Sequence, residues 1–118
     1  LYIIYNQNII DALNKLPKVM LNYKGNKVLI KPRSERETGK EHIAKSYHGL
    51  KVKDIQNIPK TLLKPYKSKQ DPHYKSKQNY YSLRRGEVGR GLLLKIVTEK
   101  NKDGTELIDT VFTTNKIK

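Results

Sequence analysis

Cysteine and tryptophan are absent from this 118-residue chain, which holds a single Phe and a single Met. Without cysteine, neither a disulfide framework nor a thiolate metal site can hold the fold or carry chemistry, and folding is open to either redox compartment. The three histidines, His42, His48 and His73, and the scattered carboxylates show none of the close spacings of a His/Asp metal site. No metal and no cofactor is therefore expected. No apolar run approaches the roughly 20 residues needed to cross a bilayer, and no charged, apolar, small-residue leader opens the chain. No membrane-spanning segment is expected.

Acidic residues are scarce as well, with 11 Asp and Glu against 25 Lys and Arg for a net charge of +14. The excess is uneven: residues 1–50 carry 9 bases and 4 acids, residues 51–90 carry 11 and 3, and residues 91–118 carry 5 and 4. An even sprinkling of solubilising lysine does not leave the last segment nearly neutral. A concentrated positive field attracts polyanions and speeds encounter with them, so RNA, DNA, an anionic membrane or an acidic protein are the partners that charge favours.

A hydrophobic content of 36% suits one modest core, so residues 1–118 are read as one domain. The start at Leu1 rather than Met makes it, as an expectation, the C-terminal module of a larger protein.

Ile9, Ala12, Leu13 and Leu16 recur at one face of a short amphipathic helix that Pro17 stops. Two β-prone runs, Lys18–Tyr23 and Lys27–Lys31, flank Lys24-Gly25-Asn26 and predict a hairpin. Thr38-Gly39-Lys40-Glu41 fits a capping box, which predicts a helix from Gly39 to about Gly49 with His42 in its first turn and His48 in its last. Short helices are expected through Asp54–Gln56 and from Pro59 to Leu63, ahead of Pro65.

Residues 66–79 contain Tyr-Lys-Ser-Lys-Gln twice, at 66–70 and 74–78. This stretch offers nothing for a core. It reads equally as a solvated loop and as a nucleic-acid arm, with lysines for phosphates and Tyr66, Tyr74, Tyr80 and Tyr81 as stacking faces. Three strands then close the chain, Tyr80–Arg85, Leu92–Glu99 and Glu106–Thr114, as an antiparallel meander. The expected class is α+β, with short N-terminal helices packed on a central antiparallel sheet.

RNA can be cut without metal because its 2′-hydroxyl attacks the adjacent phosphorus. The catalyst must remove that proton, stabilise the charge on phosphorus and protonate the leaving oxygen. His42 at a helix start is the best single candidate, with Lys40 and Lys45 beside it. A lone helix histidine is more often a structural hydrogen-bonding group, and only its basic surroundings raise it. Arg84 or Arg85 can clamp a phosphate with a guanidinium, although adjacent strand residues face opposite ways. Thr110 and Thr113 can donate to a phosphate oxygen, although threonine is also simply a good strand residue. The RNA-binding set is Lys40, Lys67, Lys69, Tyr74, Lys75, Lys77, Tyr80 and Tyr81.

Taken together, Arg36…Lys40-Glu41-His42-Ile43-Ala44-Lys45, Val52…Ile55…Ile58-Pro59…Leu62…Pro65, Asn79-Tyr80-Tyr81, Leu93–Thr98 and Ile108-Asp109-Thr110-Val111-Phe112 form a pattern. It resembles the barnase/EndoU/colicin/RelE (BECR) superfamily of metal-independent ribonucleases, especially its phage-borne and contact-dependent-inhibition toxin branches. The likeness spans about residues 33–114 through short, degenerate motifs. It implies small helices on a central antiparallel sheet and RNA cleavage to a 2′,3′-cyclic phosphate, with tRNA a frequent substrate. His42 matches the helix histidine, Thr110 the late-strand threonine, and Arg84 or Arg85 a basic strand position. Phe112 stands where a tyrosine is common, and the adjacent arginines leave the register open.

Such a toxin reaches the cytoplasm of a target bacterium through a carrier, and its producer needs an acidic immunity protein over the basic surface. The alternatives are a non-catalytic nucleic-acid-binding module and an ADP-ribosyltransferase-type toxin. The second is weakened because Glu106 stands alone at what reads as a turn edge. Peripheral membrane binding comes last, since the basic middle lacks a strongly amphipathic helix.

Overall fold

A computed structural model describes residues 6–31, 39–45, 49–84 and 91–117. The chain is an α+β domain in which short helices pack on one face of a curled six-stranded sheet. Helix α1 spans Gln7–Lys15, and its first amides are met by the side chain of Asn6, which accepts from the N–H groups of Asn8 and Ile9. The buried stripe is Ile9, Ala12 and Leu13, as the spacing predicts. Strands β1 (Met20–Leu21) and β2 (Lys27–Ile30) form the expected hairpin, with Gly25 at φ +83° in its turn.

Helix α2 (Gly39–Ile43) is shorter than its predicted reach to Gly49, because the carbonyl of Ala44 leaves the helical pattern to accept from the N–H of Asn6. Thr38, the expected cap, lies outside the described residues, as do Arg36, His48 and Arg85. Helices α3 (Val52–Gln56) and α4 (Ile58–Leu63) follow, with Pro59 in the first turn of α4.

Residues 66–79 are not a loop throughout. They supply edge strand β3 (Lys67–Gln70) and the start of β4 (Lys77–Leu83), joined by a turn around Asp71. The Asp71 carboxylate accepts from the N–H groups of His73 and Tyr74 and from Nδ2 of Asn79. Burial pushes that carboxyl up, but these donors and the charge of Lys95 outweigh it and leave it below the usual range.

Strands β5 (Leu93–Lys100) and β6 (Glu106–Thr114) complete the meander. The strand order is β1-β2-β6-β5-β4-β3. The sheet is mixed rather than wholly antiparallel: β2 lies parallel to β6, with Val28 opposite Glu106 and Ile30 opposite Ile108. Inserting the first hairpin beside the last strand covers one edge of the meander and extends the surface on which the helices pack.

Strand alternation divides the side chains cleanly between the two faces. Tyr80, Leu94, Ile96, Ile108, Val111, Val28 and Met20 point inward and form one core with Ile9, Leu13, Ile43, Ile55, Ile58 and Leu62 from the helices. Within this layer Glu106, 3% exposed, is held by three hydroxyl or amide donors. Tyr80 Oη donates to Oε1 at 2.6 Å, Thr98 Oγ1 to the same oxygen at 2.6 Å, and Asn22 Nδ2 to Oε2 at 2.8 Å. Glu106 therefore does not stand alone at a turn edge, as the sequence suggested. It ties the β1–β2 turn to β4 and β5, because Asn22 Oδ1 in turn accepts from the N–H groups of Lys24 and Asn26. Burial, the hydrogen bond to Glu106 and its negative charge push the Tyr80 hydroxyl far above its ordinary range.

Candidate functional site

Helices occupy the inner face, and the opposite face is only partly open to solvent, with Lys67 exposed, Lys69, Lys77, Lys95 and Thr110 half-buried, and Asn79 and Val97 buried. Register places its side chains in rows. One row runs Lys69, Asn79, Val97 and Thr110 across β3, β4, β5 and β6, and the next runs Lys67, Tyr81, Lys95 and Phe112. Lys77, Glu99 and Leu107 form a third. Tyr81, Leu93 and Val97 are buried on this side, outside the main core cluster.

The chemical centre of the face is Asp109. The pairing of Val97 with Thr110 and of Thr98 with Ile108 leaves Asp109 as the extra residue of a β-bulge. A bulge bends a strand and re-aims its side chains. Here it sends a carboxylate that is 2% exposed between two ammonium groups, Lys31 at Oδ1 and Lys77 at 3.2 Å from Oδ2. Lys31 arrives from the end of β2, where its N–H donates to the carbonyl of Ile108. Lys95 sits 5.6 Å from the ring of Tyr81 and 5.4 Å from that of Phe112, and Lys77 lies 5.1 Å from the ring of Tyr74. Aromatic faces attract cations at such distances, which favours these positions of the lysine heads by about 0.5–1 kcal/mol each.

Three further polar atoms on the same face, Asn79 Oδ1, Tyr81 Oη and Thr110 Oγ1, are buried without a hydrogen-bond partner among the described residues. An unmet buried polar group costs about 1–3 kcal/mol, so these atoms lower stability unless something outside the chain meets them.

The residues named from sequence separate into distinct places. Thr110, Lys67, Lys69, Lys77 and Tyr81 come together on the outer face, and Tyr74 and Lys75 stand exposed at the turn beside it. Tyr80 and Tyr81 are both fully buried, so neither ring offers a face for a base to stack on, and Tyr80 belongs to the inner network around Glu106. Arg84 is not a phosphate clamp: its side chain is 4% exposed and bound to Asp54. Nε and Nη2 each donate at 2.9 Å to one carboxylate oxygen, and Nη1 donates at 2.8 Å to the carbonyl of Gly91.

His42 is half-buried on α2, which packs on β6 and α1 and sends Ile43 and the following Ala44 into the core. Lys40 Nζ donates to Asn14 Oδ1 of α1 at 3.0 Å, so it joins helix to helix, and Lys45 follows the helix half-buried. Thr113 pairs with Leu94 and belongs to the inner face of β6. The helix carrying His42 and the bulge carrying Asp109 thus serve opposite sides of one strand.

Sequence reasoning missed Asp109, Lys31 and Lys95. Asp109 carried a signal, an acid among apolar residues inside β6, but its partners lie on segments that no local pattern pairs with it. No protein-family model, curated protein or solved structure matches the chain.

Proposed function

We propose that the chain is a metal-independent endoribonuclease of toxin type that binds RNA along the outer sheet face. One observation carries the reading: the Asp109 carboxylate sits at a bulge between Lys31 and Lys77, on a lysine-bearing face.

In the reaction the 2′-oxygen bonds to phosphorus and the bond from phosphorus to the 5′-oxygen breaks. The 2′-proton passes to a protein acceptor, and the leaving oxygen takes a proton from a protein donor. Lys31, Lys77 and Lys95 are cations fixed in advance by Asp109 and by aromatic rings, which is the arrangement that stabilises charge growing on phosphorus without reorganisation. Two acceptors compete, Asp109 on the outer side of β6 and His42 on the helix α2 that packs on its inner side. Transfer RNA is the expected substrate and the cytoplasm of a target bacterium the expected place of action. An acidic immunity protein covering the outer face keeps the producer safe.

The test is incubation of the purified chain with total bacterial RNA in chelator, followed by gels and end-group chemistry. Discrete fragments ending in 2′,3′-cyclic phosphate support the reading, and loss of cleavage in chelator overturns its metal independence. Loss in Asp109→Asn with His42→Ala active assigns the reaction to the outer face, and the reverse pattern assigns it to the helix side.

A second reading, a nucleic-acid-binding module without catalysis, is favoured by the structural employment of Arg84, Tyr80 and Tyr81. It prevails where RNA is retarded on gels yet never cut.

A further inference from the structure

Away from the outer face, a cleft of about 530 Å³ opens between α3, α4 and the end of β4. Its floor is the Arg84–Asp54 pair, joined by the hydroxyls of Thr61 and Ser82, which lie 3.0 Å apart. Its rim carries Lys53, Lys60 and Lys64, all exposed, and Tyr66, whose side of the cleft leaves the residue 62% exposed. Lys60 and Lys64 are one helical turn apart, the N–H of Lys64 donating to the carbonyl of Lys60, so they share a side of α4.

Charge at this cleft is unbalanced. Asp54 is the one carboxylate in its lining, and Arg84 engages both of its oxygens while the N–H of Lys51 donates to Oδ2. That leaves Lys53, Lys60 and Lys64 without an ion-pair partner among the described residues, around a concavity rather than spread over a convex surface. Like charges gathered at a concave site raise the local concentration of anions. A large aromatic face on the same rim narrows the class of anion.

We propose that this cleft is a nucleotide subsite, which takes a nucleoside phosphate with its phosphate among Lys53, Lys60 and Lys64 and its base against Tyr66. Tyr66 directly precedes Lys67, the first residue of β3, and already pairs with β4 through its N–H to the carbonyl of Tyr81, so the chain turns one side chain into the cleft and the next onto the outer face. A strand bound on the outer face reaches the cleft by crossing that sheet edge. This last extension rests on the proposed RNA reading, whereas mononucleotide binding does not.

The experiment is a titration of the isotopically labelled chain with 5′-AMP, adenosine and inorganic phosphate, followed by amide chemical shifts. Saturable shifts at Asn57, Lys60, Thr61, Tyr66 and Ser82 are expected with 5′-AMP, with both fragments binding at least about tenfold more weakly because each keeps half of the contacts. The triple variant Lys53→Ala, Lys60→Ala, Lys64→Ala keeps a dispersed spectrum, since all three side chains are exposed, and loses the shifts. Equal affinity for inorganic phosphate, shifts confined to the outer-face residues Lys77, Lys95 and Thr110, or no saturation in the millimolar range each overturns the inference. A chain that binds 5′-AMP here but never cuts RNA sinks the nuclease and leaves the subsite standing.

Discussion

Arg84 and Asp54 meet fork to fork across the gap between β4 and α3, with Nε and Nη2 each 2.9 Å from its own carboxylate oxygen and both side chains nearly withdrawn from water. The same carboxylate accepts from the N–H of Lys51 at the start of α3, and the same guanidinium reaches the carbonyl of Gly91. One contact therefore joins a helix start, a strand end and the entry to β5.

Removing one half of such a pair strands the other. Arg84→Ala is expected to destabilise the fold by about 3–5 kcal/mol, and Arg84→Lys to recover only part of it, because an ammonium cannot reproduce two parallel bonds. Urea unfolding of the three proteins measures this. A variant as stable as the parent but devoid of ribonuclease activity returns Arg84 to the role that sequence suggested.

The Tyr80 hydroxyl, raised by burial and by Glu106, gives stability a particular alkaline limit. A group whose folded value lies above its unfolded one contributes fully below the unfolded value, about 10 for tyrosine, and loses that contribution as pH rises beyond it. Melting temperature should hold up to about pH 9 and fall above about pH 10. Tyr80→Phe should cost about 1–3 kcal/mol at neutral pH, by leaving Glu106 short of a donor, and should flatten the alkaline decline.

Gly91 has φ +78°, and a Cβ there would lie 2.7 Å from the backbone nitrogen of Thr114 and 2.8 Å from Cβ of Thr113. Gly91→Ala combines a left-handed backbone with a collision between β5 and the end of β6. The expected cost exceeds about 1 kcal/mol, read as a lowered midpoint in thermal or chemical unfolding.

If RNA lies on the outer face, Lys77→Ala and Lys95→Ala should weaken binding to all sequences alike. Each should reduce the slope of log affinity against log salt by about 1, as a lost phosphate contact does. Filter binding at several salt concentrations gives the slopes, and unchanged slopes in both variants exclude this face as the RNA surface.

Local pattern carried much of the fold. The stripe of Ile9, Ala12 and Leu13, the turn at Gly25 and the three closing strands were legible because each follows a period or a turn chemistry contained in a few consecutive residues. Strand β3 was not. Lys-Ser-Lys-Gln has no apolar alternation, and an edge strand needs none when it is held by backbone pairing to β4 and by Ser68 donating to the carbonyl of Asn79. The duplicated Tyr-Lys-Ser-Lys-Gln proved to be two segments of one hairpin, with Gln70 opposite Gln78.

The site was less legible than the fold. Charge singled out lysines 67, 69 and 77 without showing that strand pairing would set them on one face, and tyrosines 80 and 81 looked like stacking platforms only because burial leaves no trace in an isolated dipeptide. Asp109 acquires its meaning from Lys31 and Lys77, which reach it from separate strands across the mixed sheet.

The parallel union of β2 with β6 sets an order of assembly. Val28 and Glu106 are far apart in sequence, so this pairing closes a long stretch of chain, whereas the hairpin itself and its contact with α4, where the N–H of Tyr23 donates to the carbonyl of Leu62, need only nearer segments.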